Sequence, residues 1–193
     1  MKIFAAGLLL AFTGIVTAAT TDPNPPLPRK APEFVINMQD GKQLLLSSFR
    51  GKVIAFAFMH YTCPHCKALC PILSTMQRDY AAKGVQFVGA IIEDGSKENL
   101  AEFNKLYVKG GFPVGWAPMP AALEFLKHPD LHYYIPMMAF IDRKGMIVSQ
   151  YIGDNPFFGD QDKNIRAEVD KILGEKPTAA KSVTKTIQAP TKK

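Results

Sequence analysis

From residue 31 onward, apolar and polar positions fall into short blocks, and each block carries the period of one kind of element. Phe34-Val35-Ile36-Asn37-Met38 predicts a short strand, Asp40-Gly41 a turn, and Gln43 to Leu46 a returning strand. Ser47 is placed to cap a short turn, Ser48-Phe49-Arg50, that Gly51 ends. Val53 to Met59 is an unbroken apolar run, the pattern of a buried strand. Behind it Leu69, Ile72, Leu73, Met76 and Tyr80 recur at i, i+3, i+4, i+7 and i+11, predicting a helix to about Ala82 that stops at Gly84. Val85 to Ile92 is a second apolar strand, and Ser96 opens a helical pattern reaching about Val108, closed by Gly110-Gly111. Phe112-Pro113-Val114 reads as a brief edge strand and Ala121 to Lys127 as a short helix. Met137 to Ile141, the turn Asp142-Arg143-Lys144-Gly145, and Met146 to Ile152 form a hairpin. A last helix, Gln161 to Leu173, carries Ile165, Val169, Ile172 and Leu173 on one face before Gly174 ends it. Strand, helix, strand, helix in this order implies parallel pairing with a right-handed crossover, an α/β fold.

The ends have a different character. Residues 1–18 combine Lys2, an apolar stretch from Ile3 to Val16, and small residues at Val16-Thr17-Ala18 and Thr17-Ala18-Ala19, the pattern of a signal peptide. A retained membrane anchor, the alternative, usually needs a longer span. Residues 19–32 are proline-rich and read as an extended linker. The folded domain is expected at 33–175, and 176–193 reads as a disordered lysine-rich tail. That tail accounts for most of the net charge of +6, so the charge does not mark a nucleic-acid-binding surface. Export to an oxidising compartment, the periplasm or the exterior, follows from the leader.

Only three cysteines are present, which excludes a four-cysteine zinc site and a disulfide-dense scaffold. Two of them stand as Cys63-Pro64-His65-Cys66 between the buried strand and the helix. A helix N-terminus carries unpaired N–H groups and positive potential, which favour a thiolate over a thiol. Pro64 suits the first helical position because it has no N–H to lose. Cys63, nearer the helix start, is the expected nucleophile; Cys66, one turn on, would resolve a mixed disulfide. His65, when protonated, would add to the field that favours the thiolate. Pro71 lies inside the helix and is expected to kink it. Cys70 reads as a small buried hydrophobe. Glu93, at the end of the next strand, is a candidate proton acceptor for Cys66, set against the plainer reading of a solvated loop carboxylate. His128 and His132 read as solvated loop residues around Pro129-Asp130.

These residues resemble the thioredoxin superfamily, and within it the exported TlpA and ResA type related to AhpC/TSA domains. The resemblance rests on Ala31-Pro32-x-Phe34, Asp40-Gly41, Leu46-Ser47, Gly51-Lys52, Cys63-Pro64-His65-Cys66-Lys67 with Pro71-Ile72-Leu73, and Ile135-Pro136 ahead of the hairpin. It implies a thioredoxin-like fold, a central mixed β-sheet flanked by helices with an N-terminal β-hairpin extension. It also implies a thiol–disulfide oxidoreductase with a redox-active Cys63–Cys66 disulfide and no cofactor, acting on protein thiols or disulfides. Its redox partner is unnamed by the sequence, and a membrane-bound one is open. Pro136 is implied to be the family's cis-proline, with Ile135 and Thr62 facing substrate. Two departures stand out. Ala57 and Leu69 occupy positions where relatives carry an acidic or polar group, and Thr62 stands where a tryptophan is common. Cys66-x-x-x-Cys70-Pro71 also resembles the copper spacing of Sco-type proteins, with His60, His128 or His132 to complete the set. A peroxidase is the weakest alternative, because the usual peroxidatic T-x-x-C surroundings are missing.

Overall fold

The strand Val53–Met59 organises the molecule: all seven of its residues are buried. The computed structural model describes residues 25–128 and 132–174. Side chains alternate across a strand. Val53, Ala55, Ala57 and Met59 therefore pack on one side of the sheet, and Ile54, Phe56 and Phe58 on the other. Both faces are covered, which is why the run shows no polar alternation.

The sheet has eight strands: β1 (Arg29–Lys30), β2 (Val35–Asn37), β3 (Gln43–Leu45), β4 (Val53–Met59), β5 (Val85–Ile91), β6 (Val114–Trp116), β7 (Met137–Ile141) and β8 (Met146–Tyr151). Their spatial order is β1-β8-β7-β4-β5-β6-β2-β3. β4, β5 and β6 are parallel, and the remaining pairings are antiparallel, so the sheet is mixed as expected. Four helices flank it: α1 (Pro64–Tyr80), α2 (Ser96–Phe103), α3 (Met119–Leu126) and α4 (Gln161–Leu173). One core face joins β4 and β5 to α1, α2 and α4 through Leu69, Leu73, Met76, Phe103 and Val169. The other centres on Phe34, Phe56, Phe58 and Phe125, whose ring centroids lie 4.3 to 5.7 Å apart. Each such ring pair adds about 0.5–1.5 kcal/mol beyond the area it buries, enough to pin the segment leading into β2 against the central strand.

α4 is tied to α1 by polar contacts under the same sheet face. The Tyr80 hydroxyl donates to Asp170 Oδ1 at 2.8 Å, and Arg166 reaches Asp79 at 3.0 Å and Asp162 at 3.1 Å. Among the described residues, no helix is long and apolar enough to cross a membrane.

The structure departs from the sequence reading in four places. Arg29 and Lys30, inside the expected linker, pair with Ile147 and Met146 and form a sheet edge. Ser47 does not cap its turn: the 3-10 turn is Leu46–Phe49, Ser47 lies within it, and the Ser47 N–H bonds the Glu33 carboxylate at 3.0 Å. The strand read at Phe112-Pro113-Val114 is Val114–Trp116, and it is interior because β2 pairs Asn37 with Trp116 on its outer side. The second helix changes to a π turn at Asn104–Val108, where the Asn104 side chain donates to Val114 O at 3.2 Å. The leader and the lysine-rich tail lie outside the described residues.

Candidate active site

β4 ends at Met59, and the chain crosses to α1 through His60, Tyr61 and Thr62. Cys63 is the N-cap of α1, with extended backbone at φ −72° and ψ 121°, and Pro64 follows in the first helical turn. A sulfur takes the place usually filled by a capping oxygen: the Cys66 backbone N–H donates to Cys63 Sγ at 3.4 Å. The Lys67 N–H bonds Cys63 O at 3.1 Å, closing the first helical hydrogen bond. The Cys63 sulfur thus sits at the helix N-terminus and takes up one of its otherwise unpaired donors.

The two thiols differ in environment. Cys63 is half-buried and Cys66 fully buried, and all three cysteines are free thiols. Burial pushes the Cys66 thiol strongly upward, partly offset by the His60 backbone N–H. Cys70 is also fully buried, and burial raises its thiol to about 12. Its Sγ donates to Cys66 O at 3.3 Å and lies 3.9 Å from Met59 Sδ.

His65 is exposed and borders a groove of about 280 Å³ that also includes Ile135, Pro136, Pro156 and Phe158. The Ile135–Pro136 peptide is cis. Gly153 lets this segment approach: a Cβ at position 153 would sit 2.7 Å from the Ile135 backbone, and the Gly153 N–H bonds Tyr134 O at 3.0 Å. Tyr134 is 64% exposed on the same flank.

The structure therefore brings Cys63, Cys66, Pro64, His65, Ile135 and Pro136 to one end of the sheet. Thr62 is exposed beside them, with both of its donors held by Glu93: its N–H and its hydroxyl each lie 2.8 Å from a carboxylate oxygen. Glu93 is no solvated loop carboxylate; its side chain is 15% exposed. His60, a candidate metal ligand in the sequence, instead contacts Glu93 at 3.6 Å and the Tyr133 hydroxyl at 3.1 Å. The Glu93–Thr62–His60 contacts were legible in sequence only as polar residues just past two apolar strands. The copper set of Cys66, Cys70 and a histidine is not assembled. Among the described residues no three His, Cys, Asp or Glu side chains converge as a metal site.

The Redoxin family model matches residues 28–167 of the chain. The thiol-disulfide oxidoreductase ResA of Bacillus thuringiensis subsp. konkukian is 26% identical over 126 residues, covering 65% of this chain and 69% of that protein. Among solved structures, a thiol:disulfide interchange protein of the thioredoxin family from Chlorobium tepidum TLS superposes with a TM-score of 0.61 at 26% identity, over 78% of this chain and 99% of that one. The thioredoxin domain of a thiol-disulfide oxidoreductase from Bacteroides vulgatus superposes with a TM-score of 0.60 at 18% identity, over 76% and 96% of the two chains, a likeness of fold alone. With a family match spanning the sheet and the cysteine helix, the chain belongs to the Redoxin family and is a thiol-disulfide oxidoreductase of the TlpA/ResA-like branch of the thioredoxin superfamily.

Proposed function

We propose that this protein is exported and exchanges disulfides with protein substrates through Cys63 and Cys66. The observation that carries this reading is the asymmetry of the pair: one sulfur half-exposed at a helix N-cap, the other buried one turn further in, with its N–H aimed at the first. Cys63, as thiolate, attacks a substrate disulfide; an S–S bond to Cys63 forms and one substrate sulfur leaves as thiolate. Cys66 then gives up its proton and attacks Cys63 Sγ. The substrate leaves as a dithiol, two electrons richer, and the protein holds the Cys63–Cys66 disulfide. Run backwards, the same steps oxidise a substrate dithiol. A second dithiol or disulfide protein resets the pair.

In this reading Pro64 starts the helix without an N–H to satisfy, and His65 adds positive charge near the sulfur when protonated. Ile135, Pro136 and Thr62 line the approach of an extended substrate chain. Export rests on the apolar stretch Ile3 to Val16 followed by small residues, with 1–18 removed as a signal peptide.

Cys66→Ser tests the mechanism. Incubated with a disulfide-bonded protein substrate, this variant accumulates a mixed disulfide at Cys63 that reductant releases. Cys63→Ser forms none. Equal trapping by the two variants, or by neither, would overturn the assignment.

A further inference from the structure

Glu93 lies two residues past the end of β5, beside the point where the chain leaves β4 for the cysteine helix. Met59 pairs with Ile91, and the Ile92 N–H bonds Met59 O at 3.0 Å, so His60 and Glu93 step off the carboxyl ends of neighbouring parallel strands. Ligand-facing groups gather at that end of parallel sheets. The Glu93 main chain is held by Ser96, whose N–H bonds its carbonyl at 3.1 Å and whose hydroxyl bonds it as well. Its carboxylate turns inward. Oε1 accepts the Thr62 N–H and Oε2 the Thr62 hydroxyl, both at 2.8 Å, and Oε2 lies 3.6 Å from His60 Nδ1. One carboxylate thus holds both donors of the residue immediately before Cys63.

The imidazole beside it does not cancel that charge at neutral pH. Burial drives His60 toward its neutral form, and Glu93 opposes this only in part. Asp94 adds a second negative charge on this flank; together with burial the two acids raise the Tyr133 phenol. On the other flank the helix N-terminus favours negative sulfur.

We propose that Glu93 is a charged positioning residue: it fixes Thr62 ahead of the nucleophile and sets the thiol–disulfide equilibrium of the Cys63–Cys66 pair. This rests on the exchange function proposed above. A carboxylate charge here opposes a negative sulfur at Cys63. It destabilises the reduced protein relative to the disulfide and makes the pair a stronger reductant than the helix terminus alone would.

The test is equilibration of the full protein with glutathione buffers of graded ratio, read as the fraction of Cys63–Cys66 disulfide. Glu93→Gln keeps the size and an acceptor for Thr62 but removes the charge. The expected result is an equilibrium shifted about three- to tenfold toward the reduced protein, with faster alkylation of Cys63 at neutral pH. Glu93→Asp keeps the charge and should return the equilibrium to within about twofold of wild type. Thr62→Lys, at an exposed position, offsets the charge without removing the carboxylate and should move the equilibrium the same way as Glu93→Gln. A role confined to folding would lower thermal stability and leave the equilibrium in place, which would overturn the proposal. So would a shift of Glu93→Gln toward the disulfide. A wild-type protein that forms no Cys63–Cys66 disulfide in glutathione would instead overturn the exchange reading itself.

Discussion

The backbone N–H of Cys66 points at the sulfur of Cys63, 3.4 Å away, while the Cys66 side chain is wholly enclosed. The first sulfur is stabilised as an acceptor and the second is withheld from solvent. At neutral pH the native protein should therefore be alkylated at Cys63 at least about tenfold faster than at Cys66 or Cys70, because reactivity follows thiolate character and exposure. A mass-spectrometric time course with iodoacetamide, repeated in denaturant, checks this. The three rates should converge once the chain unfolds.

Cys70 is separated from the chemistry by its surroundings. It is buried against Met59, bonds the Cys66 carbonyl, and has a thiol raised to about 12, so it is a weak nucleophile at neutral pH. Cys70→Ala should keep disulfide exchange at Cys63 and Cys66 and lose about 1–2 kcal/mol of stability to the small cavity left behind. Denaturant unfolding together with the mixed-disulfide assay reads both quantities. Exchange that disappears with Cys70 would make it a third redox thiol.

Gly153 sets how closely the segment before Pro136 lies against the end of β8. A methyl group there would stand 2.7 Å from main-chain atoms of Ile135, which cannot rotate away as a side chain could. Gly153→Ala should cost about 1–3 kcal/mol and, by displacing Ile135, slow mixed-disulfide formation in a Cys66→Ser background. Gly159, which lines the same groove with open space around it, is the control: Gly159→Ala should change neither by as much.

His60 makes stability depend on pH. Burial lowers its folded value below the ordinary 6.5, and Glu93 opposes the shift without reversing it. Below the ordinary value the unfolded chain binds a proton that the folded protein resists, so stability rises with pH across that window and is lost as pH falls through it. Urea midpoints at pH 7.5 and 5.5 should show this decline, and His60→Gln should make it shallower. An unchanged slope in the variant would assign the decline to other groups.

Much of the fold was legible because burial leaves a local imprint. The central strand, Val53–Met59, and the last helix, Gln161–Leu173, lie where the apolar pattern placed them. The first is buried on both faces and so is uniformly apolar; the second has a buried stripe at Ile165 and Val169 and a polar N-cap contact from Asp160 to the Lys163 N–H at 3.2 Å. Cys63 and Cys66 were legible for the same reason, since their spacing and the strand-to-helix change lie within a few residues.

What local pattern does not carry is the identity of a distant partner. Val114–Trp116 is interior only because Asn37, far earlier in the chain, completes its outer side, and Arg29–Lys30 is a strand only because the Met146–Ile147 edge is there to receive it. Glu93 looked like a loop carboxylate for the same reason. Two parallel strands end side by side and set it against Thr62 and His60, a juxtaposition that no periodicity encodes. The amino-acid order alone determined most of the elements and the place of Cys63 and Cys66 at a strand-to-helix junction, because burial period and cysteine spacing are local properties. Only the tertiary fold decided which strands are edges and that Glu93 meets Thr62 and His60, because these are contacts between segments far apart along the chain.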